Sequence, residues 1–587
     1  MPESKKRNNL KRVLKYLRRY RGYLIAGGVA IVLTNAFIQA MPWIVKNAIE
    51  RLESGSATSA YLIRSALLIV FVAVMSGLFM FFLRRTIIWA SRFMEYDLKN
   101  ELAAQLIRLP RSFYNKTPTG DIIARLSNDV EAVRMMLGPG IMHFSSTVVT
   151  VSISLTLMLI LSPSLTLVAV LPFPIIAFTF KKVATFIYTL FYAIQEHFSK
   201  MTAFVQENVA GVRVVKAYNQ QESQTEQFGD LNEEYITLNL KLARLQGLFQ
   251  PMIALEVGII LIVVLYFGGR QVINDTISLG VLVAFMLYLM MLVWPVMAIG
   301  WTVTLYQRGL ASLKRIENIL KIVPEVRDTD KVRSVDQIEP EIRFENLSFA
   351  YPETETQILK NISMKIPAGK TTAIVGRTGC GKSTVIDLIV RIYRVGDGLI
   401  FVGDRDINSI PLKDLRKLIG YVPQESFLFS DSLYQNISFG LPQVDKAAAE
   451  EAALLSKLES DIQDFPRGYD TIIGERGVTL SGGQKQRTAL ARAIARDPKI
   501  LILDDAFSSV DTETEEQILN GIDAIMSSRT TILVSHRIST VRKADLIYVM
   551  EDGRIVGSGS HERLMTTCTL YAEMVERQEL EKQLEML

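Results

Sequence analysis

The chain has 587 residues, 49% of them hydrophobic and 21% charged, with a formal net charge of +5 and two cysteines. That much apolar mass excludes a disordered chain, two cysteines exclude a disulfide framework or a cysteine-rich metal site, and so small a net charge gives no argument for nucleic acid. The average conceals a split: residues 1–320 hold 32 Lys/Arg against 19 Asp/Glu, a net of +13, and the remainder holds 33 against 41, a net of −8.

The basic half comes first. Lys5-Lys6-Arg7, Lys11-Arg12, Lys15 and Arg18-Arg19 interleave with Leu10, Val13, Leu14 and Leu17 at helical spacing. This predicts an amphipathic helix over about 8–20, lying on the cytoplasmic membrane face; no signal peptide is expected ahead of the first span. Six apolar stretches follow, at about 23–48, 61–85, 139–161, 165–183, 249–270 and 278–305. A bilayer core takes ~20 apolar residues of helix, so each is long enough to cross. Pro42, Pro172, Pro174 and Pro295 are tolerable there because neighbouring helices satisfy the freed backbone groups. Leu161-Ser162-Pro163-Ser164 reads as a tight turn between the third and fourth spans.

The basic N-terminus places itself on the cytoplasmic side. Alternation then puts 49–60, 162–164 and 271–277 outside, where Arg51 is the one clear cation. Two connections on the cytoplasmic side, 86–138 and 184–248, are long, polar and helix-favouring, so the spans are expected to continue as helices beyond the membrane. Each holds an elbow, Phe113–Gly120 and Gly211–Tyr218, where a short helix can dock on a soluble domain. Glu256 falls inside the fifth span and Arg84-Arg85 end the second. Glu256 either faces a substrate path or pairs with those arginines.

A linker at 321–340 leads to a soluble domain at 341–587. Glu341–Phe344 and Thr372–Val375 read as strands. The second runs into Gly376-Arg377-Thr378-Gly379-Cys380-Gly381-Lys382-Ser383, and Thr384–Ile389 is helical. This is the P-loop in its strand–loop–helix setting. The glycines let backbone N–H groups close on phosphate oxygens, and the helix N-terminus adds its dipole. Lys382 reaches the outer phosphates of ATP and Ser383 ligates Mg²⁺; Cys380 is a small buried loop residue. Leu480-Ser481-Gly482-Gly483-Gln484 is a second glycine turn opening a helix, a second potential phosphate binder. Lys499–Leu503 is a buried strand ending in Asp504, which holds Mg²⁺ through water, and Asp505, placed to act on the attacking water.

Together these motifs resemble an ATP-binding cassette (ABC) exporter half-transporter of the multidrug and lipid-exporter type, and the resemblance covers essentially the whole chain. Leu480–Gln484 is similar to the ABC signature. The resemblance implies further roles. Tyr351 stacks on adenine, Gln424 contacts Mg²⁺ and senses the γ-phosphate, and His536 is the switch histidine. Gly474–Gly477 resembles the loop that touches the coupling helices, and Ser508–Asp511 the D-loop. Nucleotide contacts then fall to Tyr351, Gly376, Arg377, Thr378, Gly379, Cys380, Gly381, Lys382, Ser383, Thr384 and Gln424, with Ser481, Gly482, Gly483 and Gln484 serving a facing chain. The metal falls to Ser383, Gln424 and Asp504, and catalysis to Asp505, His536 and Gln424.

One residue departs from the family pattern, which has Glu where this chain has Asp505. Asp is shorter by one methylene, more than ~1 Å of reach, and a general base works within about 2.6–3.2 Å of the water it handles. Heterodimeric exporters resemble this chain in pairing such a subunit with one that keeps Glu. The expected protein is therefore a six-helix membrane domain with long helical extensions, fused to an α/β P-loop nucleotide-binding domain. It lies in the cytoplasmic (inner) membrane with both termini cytoplasmic. It exports a hydrophobic or amphipathic drug, lipid or peptide as the degenerate-site half of a heterodimer. A homodimer with slow Asp505-based hydrolysis and an ATP-gated or regulatory membrane subunit are the alternatives.

Overall fold

The structure is a computed structural model that describes residues 12–328, 332, 337–352, 354, 356–474, 480–508 and 512–585. The chain divides into two compact units, Met1–Ile107 with Thr119–Ile322, and Arg108–Pro118 with Val323–Leu587.

The first unit is helical. Among the described residues, five helices are long and apolar enough to cross a membrane: Arg21–Glu53, Ser59–Arg108, the continuous run Thr119–Leu161, Gln221–Ile273 and Leu279–Leu320. The 53-residue helix Gln221–Ile273 would run ~80 Å at 1.5 Å per residue, against a hydrocarbon core of ~30 Å, so helix does continue beyond the apolar segments. The stretch 165–183 is divided between helices Pro163–Val170 and Phe173–Ala210 and stands outside the five. Pro172 lacks the N–H that would carry the first helix onward. Before it, the Ser162 hydroxyl accepts the Leu165 N–H at 3.3 Å, and Pro163 fills a first-turn position that needs no donor. These two residues make the turn read at 161–164.

Several buried polar side chains inside this unit are paired. Asn35 donates to the Ile31 carbonyl at 2.8 Å and accepts from the Thr150 hydroxyl, Ser154 donates to Gln39 Oε1 at 2.8 Å, and buried Tyr288 donates to the Gln39 carbonyl at 2.8 Å. Such bonds between helices supply the specificity that apolar contact lacks in lipid. Glu256 is half-buried and makes no ion pair among the described residues, with Arg84 and Arg85 or otherwise. Arg85 lies over the Trp89 ring at 4.5 Å.

Of the basic N-terminal stretch, Lys5, Lys6, Arg7, Leu10 and Lys11 lie outside the described residues. The chain is helical over 12–19. Three of its cations are engaged by helix Ser59–Arg108: Arg12 and Lys15 pair with Glu101 at 3.3 and 3.1 Å, and Arg19 pairs with Asp97 at 3.0 Å. The two elbows differ. Helix Val212–Ala217 belongs to the first unit and leaves Val214 and Tyr218 exposed, whereas helix Arg111–Lys116 belongs to the second.

The second unit carries ten strands among the described residues. They are β1 (Ile342–Ala350), β2 (Gln357–Ile366), β3 (Thr371–Gly376), β4 (Ile400–Val402), β5 (Arg405–Asp406), β6 (Ile419–Val422), β7 (Ile500–Asp504), β8 (Thr530–Val534), β9 (Leu546–Glu551) and β10 (Arg554–Gly559). One sheet has the order β2-β1-β4-β5, with its β1–β2 and β1–β4 pairings antiparallel; the other runs β10-β9-β3-β8-β7-β6. In the second sheet β9, β3, β8, β7 and β6 are mutually parallel. Strands β3, β7 and β8 are buried at every position, as continuous apolar runs in a parallel sheet covered on both faces should be.

Candidate functional site

Ligands of open α/β sheets gather at the carboxyl ends of the parallel strands, and here those ends carry the motif residues. Strand β3 delivers Gly376, where a Cβ would stand 2.2 Å from the Met550 carbonyl oxygen, so only glycine fits. The loop closes at Gly381 (φ +102°), which caps helix Lys382–Ile389 in a left-handed conformation. Lys382 curls back over the loop, its Nζ donating to the Gly376 and Arg377 carbonyls at 2.8 and 3.0 Å. A cation is thus held at the mouth of a helix N-terminus, where an anion is favoured. Cys380 is buried, as expected, with its Sγ 3.9 Å from the Lys382 Nζ.

Register explains the next pair. Asp504 of β7 lies opposite Val534 of β8, so the residues that follow on each strand emerge together. Asp505 adopts φ +45° and donates its N–H to the Val534 carbonyl at 2.8 Å. His536 returns two hydrogen bonds to Asp505 Oδ1, from its backbone N–H at 3.2 Å and its ring Nδ1 at 3.0 Å. Asp504 itself is 2% exposed. Burial pushes its carboxyl up to about 6, and adjacent Asp505 adds to the effect against a 3.4 Å hydrogen bond from Ser383.

A cavity of about 470 Å³ brings Tyr351, Thr378, Gly379, Gly381, Lys382, Ser383, Thr384, Gln424, Asp505 and His536 onto one wall system. A neighbouring hollow of about 600 Å³ shares Tyr351, Ser383 and Gln424 and adds Asp504, Asp387, Tyr421 and Arg111. Gly376, Arg377 and Cys380 shape the loop without lining either. Tyr351 is fixed by a 2.8 Å hydrogen bond between its hydroxyl and that of Thr384 and by edge contact with the Tyr393 ring at 5.0 Å. Ser383, Asp504 and Gln424 together offer hydroxyl, carboxylate and amide oxygens. A buried carboxylate next to a second one is an oxygen-rich site short of positive charge, which fits a hard divalent cation such as Mg²⁺.

Ser481, Gly482, Gly483 and Gln484 line neither cavity. They open helix Gly482–Ala495 through a capping box: Gln484 N–H donates to Ser481 Oγ at 3.2 Å, and Ser481 N–H donates to Gln484 Oε1 at 3.0 Å. Asp461 holds the same end, accepting from Gln484 Nε2 at 3.0 Å and from Arg487 at 2.6 Å. Glu475, Arg476, Gly477, Ser509, Val510 and Asp511 lie outside the described residues.

Four participants went unread in the sequence. Gln486 donates to the Ser508 hydroxyl at 2.8 Å; its one signal was its place two residues beyond the signature turn. Asp387 lies one helical turn beyond Ser383 and is met by Arg111 of the elbow helix at 3.4 Å. Its carboxyl is raised by burial, with Arg111 opposing the rise. Neither this pair nor Tyr393 announces itself by spacing.

The comparisons with known proteins agree with this geometry. The family profile described as "ABC transporter transmembrane region" matches residues 24–296, and that described as "ABC transporter" matches residues 359–508. The chain is 35% identical, over 96% of both chains, to a probable multidrug resistance ABC transporter ATP-binding/permease protein (YheI) of Bacillus subtilis. It is 33% identical to the multidrug resistance-like ATP-binding protein MdlA of Escherichia coli, covering 97% of this chain and 96% of that one. It is 31% identical to an ATP-dependent lipid A-core flippase of Syntrophus aciditrophicus, covering 94% and 92%. A solved bacterial Atm1-family ABC exporter with ATP bound superposes with a TM-score of 0.80 at 27% identity, covering 96% of this chain and 99% of that one.

Proposed function

The chain belongs to the ABC transporters, as a membrane region fused to an ATP-binding domain with an exporter fold, and on that premise we propose that it is the degenerate-site half of a heterodimeric exporter. It moves a hydrophobic or amphipathic substrate (drug, lipid or peptide) across the cytoplasmic membrane by alternating access, with both termini cytoplasmic. The domains divide at about 320 and 341. ATP lies in the cavity at the P-loop, its adenine on Tyr351 and its outer phosphates on Lys382 and the loop amides. Ser383, Asp504 and Gln424 hold Mg²⁺, which neutralises phosphate charge when bound. Ser481–Gln484 stand apart from that cavity and complete the nucleotide site of the partner half, a related chain with Glu at the position of Asp505.

The observation that carries this reading is Asp505. Its short carboxylate is turned onto His536, which takes up one oxygen twice over. A base so engaged and so short positions an attacking water poorly, and phosphoryl transfer depends almost wholly on such positioning. ATP is therefore held here with slow turnover. The test is Mg-ATPase activity of the purified chain alone and of the chain with its partner. Low activity alone and high activity in the pair is expected; robust turnover by the lone chain that disappears with Asp505→Asn would show a working homodimer instead.

A further inference from the structure

Helix Thr569–Glu585 sends one side chain, Gln578, onto the backbone of the segment that carries His536. The Gln578 amide N–H donates to the His536 carbonyl, and its carbonyl oxygen accepts the Ile538 N–H at 2.7 Å. These are the two peptide groups flanking Arg537. Among the described residues neither the His536 carbonyl nor the Ile538 N–H has another hydrogen-bond partner. The His536 carbonyl lies past the end of β8, and Ile538 begins a helical turn, Ile538–Val541, whose first N–H has no partner within the turn. A primary amide, with donor and acceptor side by side, matches that need.

The other side of the segment is fixed as well. Buried Glu515 accepts from the Arg537 guanidinium and from the Thr540 hydroxyl, and the Arg537 N–H donates to Ser535 Oγ at 3.0 Å. The imidazole of His536 is the member left facing the cavity, where it meets Asp505.

We propose that Gln578 is a positioning residue for His536, which makes the C-terminal helix a working part of the hydrolytic device. Gln578 contacts neither nucleotide nor metal. It sets the peptide planes on either side of Arg537 and so the direction in which the imidazole leaves the backbone. The proposal rests on the reading of His536 as a group that acts at the phosphate end of the cavity.

The test uses the full-length chain with its partner in lipid nanodiscs, and two readouts. The first is residue-resolved amide exchange over 536–541. The loss of one hydrogen bond in Gln578→Ala is expected to speed exchange at Ile538 about fivefold. The second is ATP turnover in an Asp505→Glu background, where Gln578→Ala is expected to lower kcat and leave KM for ATP unchanged. Gln578→Glu separates the two bonds: it keeps the acceptor for Ile538 and removes the donor for His536. Protection at Ile538 should then persist while kcat falls. Glu573→Gln, on the exposed face of the same helix, should change neither. Unaltered exchange in Gln578→Ala, or faster exchange with kcat untouched, overturns the proposal. If Gln578→Ala does not fold, Gln578→Glu decides on kcat. If Asp505→Glu fails to raise turnover, the degenerate-site reading falls, and the exchange readout still judges the clamp.

Discussion

Asp505 and His536 are joined twice through a single oxygen: Oδ1 receives the His536 N–H at 3.2 Å and its ring Nδ1 at 3.0 Å. The arrangement closes the carboxylate onto the loop that follows β8. Lengthening that side chain by one methylene should bring the carboxylate out toward the cavity. Asp505→Glu is expected to raise hydrolysis at this chain's own site by at least about tenfold, part of the ~10²–10⁴ that a fully positioned general base supplies. Adding His536→Ala should cancel the gain. Single-turnover hydrolysis of ATP bound to this chain checks both.

Asp504 gives a prediction in which stability and function part company. Its folded-state value of about 6 lies above the ~3.9 of an unfolded Asp, so the folded chain prefers the protonated form. The native state is therefore penalised progressively as pH rises from about 4 through 6, by up to about 3 kcal/mol above that range. Asp504→Asn should make the metal- and nucleotide-free protein more stable at pH 7.5 and flatten its pH dependence. The same variant should lose the stabilisation that MgATP confers. Tm values at pH 5 and 7.5, with EDTA or with MgATP, read out both effects.

Ser481 stands outside the chain's own cavity, so its removal should spare binding there. Ser481→Ala forfeits the N-cap of helix Gly482–Ala495, at about 1 kcal/mol, and is expected to leave MgATP affinity of the lone chain unchanged. In the assembled exporter it should abolish turnover. Calorimetric titration of the chain and ATPase assay of the pair distinguish the two.

Arg111 opposes the burial-driven rise of Asp387. Arg111→Ala leaves that carboxylate buried without its cation. Because Arg111 is itself more than half exposed, the cost should be modest, about 1 kcal/mol, and should shrink as falling pH protonates the carboxylate. Asp387→Asn in the same background should restore the lost Tm.

How far the sequence carried differs between the two halves. Strand β8 coincides with the run Thr530–Val534, and β3 leads into its glycine loop as read, because a buried parallel strand is an unbroken apolar run between polar ends and needs no partner to be recognised. Asp504, Asp505 and His536 converge because adjacent parallel strands in register deliver their next residues to one edge, so motif order translated into proximity. The stretch 165–183 was harder. Its hydropathy is that of a span, yet Leu171-Pro172 divides it, and a hydropathy window averages over a single missing N–H. Pairs such as Arg111–Asp387 and Gln578–His536 are out of reach altogether. They join segments 276 and 42 residues apart by one side chain each, and no periodicity marks a lone contact.

The second unit is assembled from two pieces of chain, Arg108–Pro118 and everything after Ile322. During synthesis the elbow leaves the ribosome more than two hundred residues ahead of the body it packs into. Domains that fold as units on the growing chain would here have to wait, with Arg111 on hand and Asp387 not yet made. A polypeptide started at Val323 would lack its own first fragment. One cut at the linker therefore parts the ATP-binding half from Arg108–Pro118, and only two cuts would release it with all of its chain.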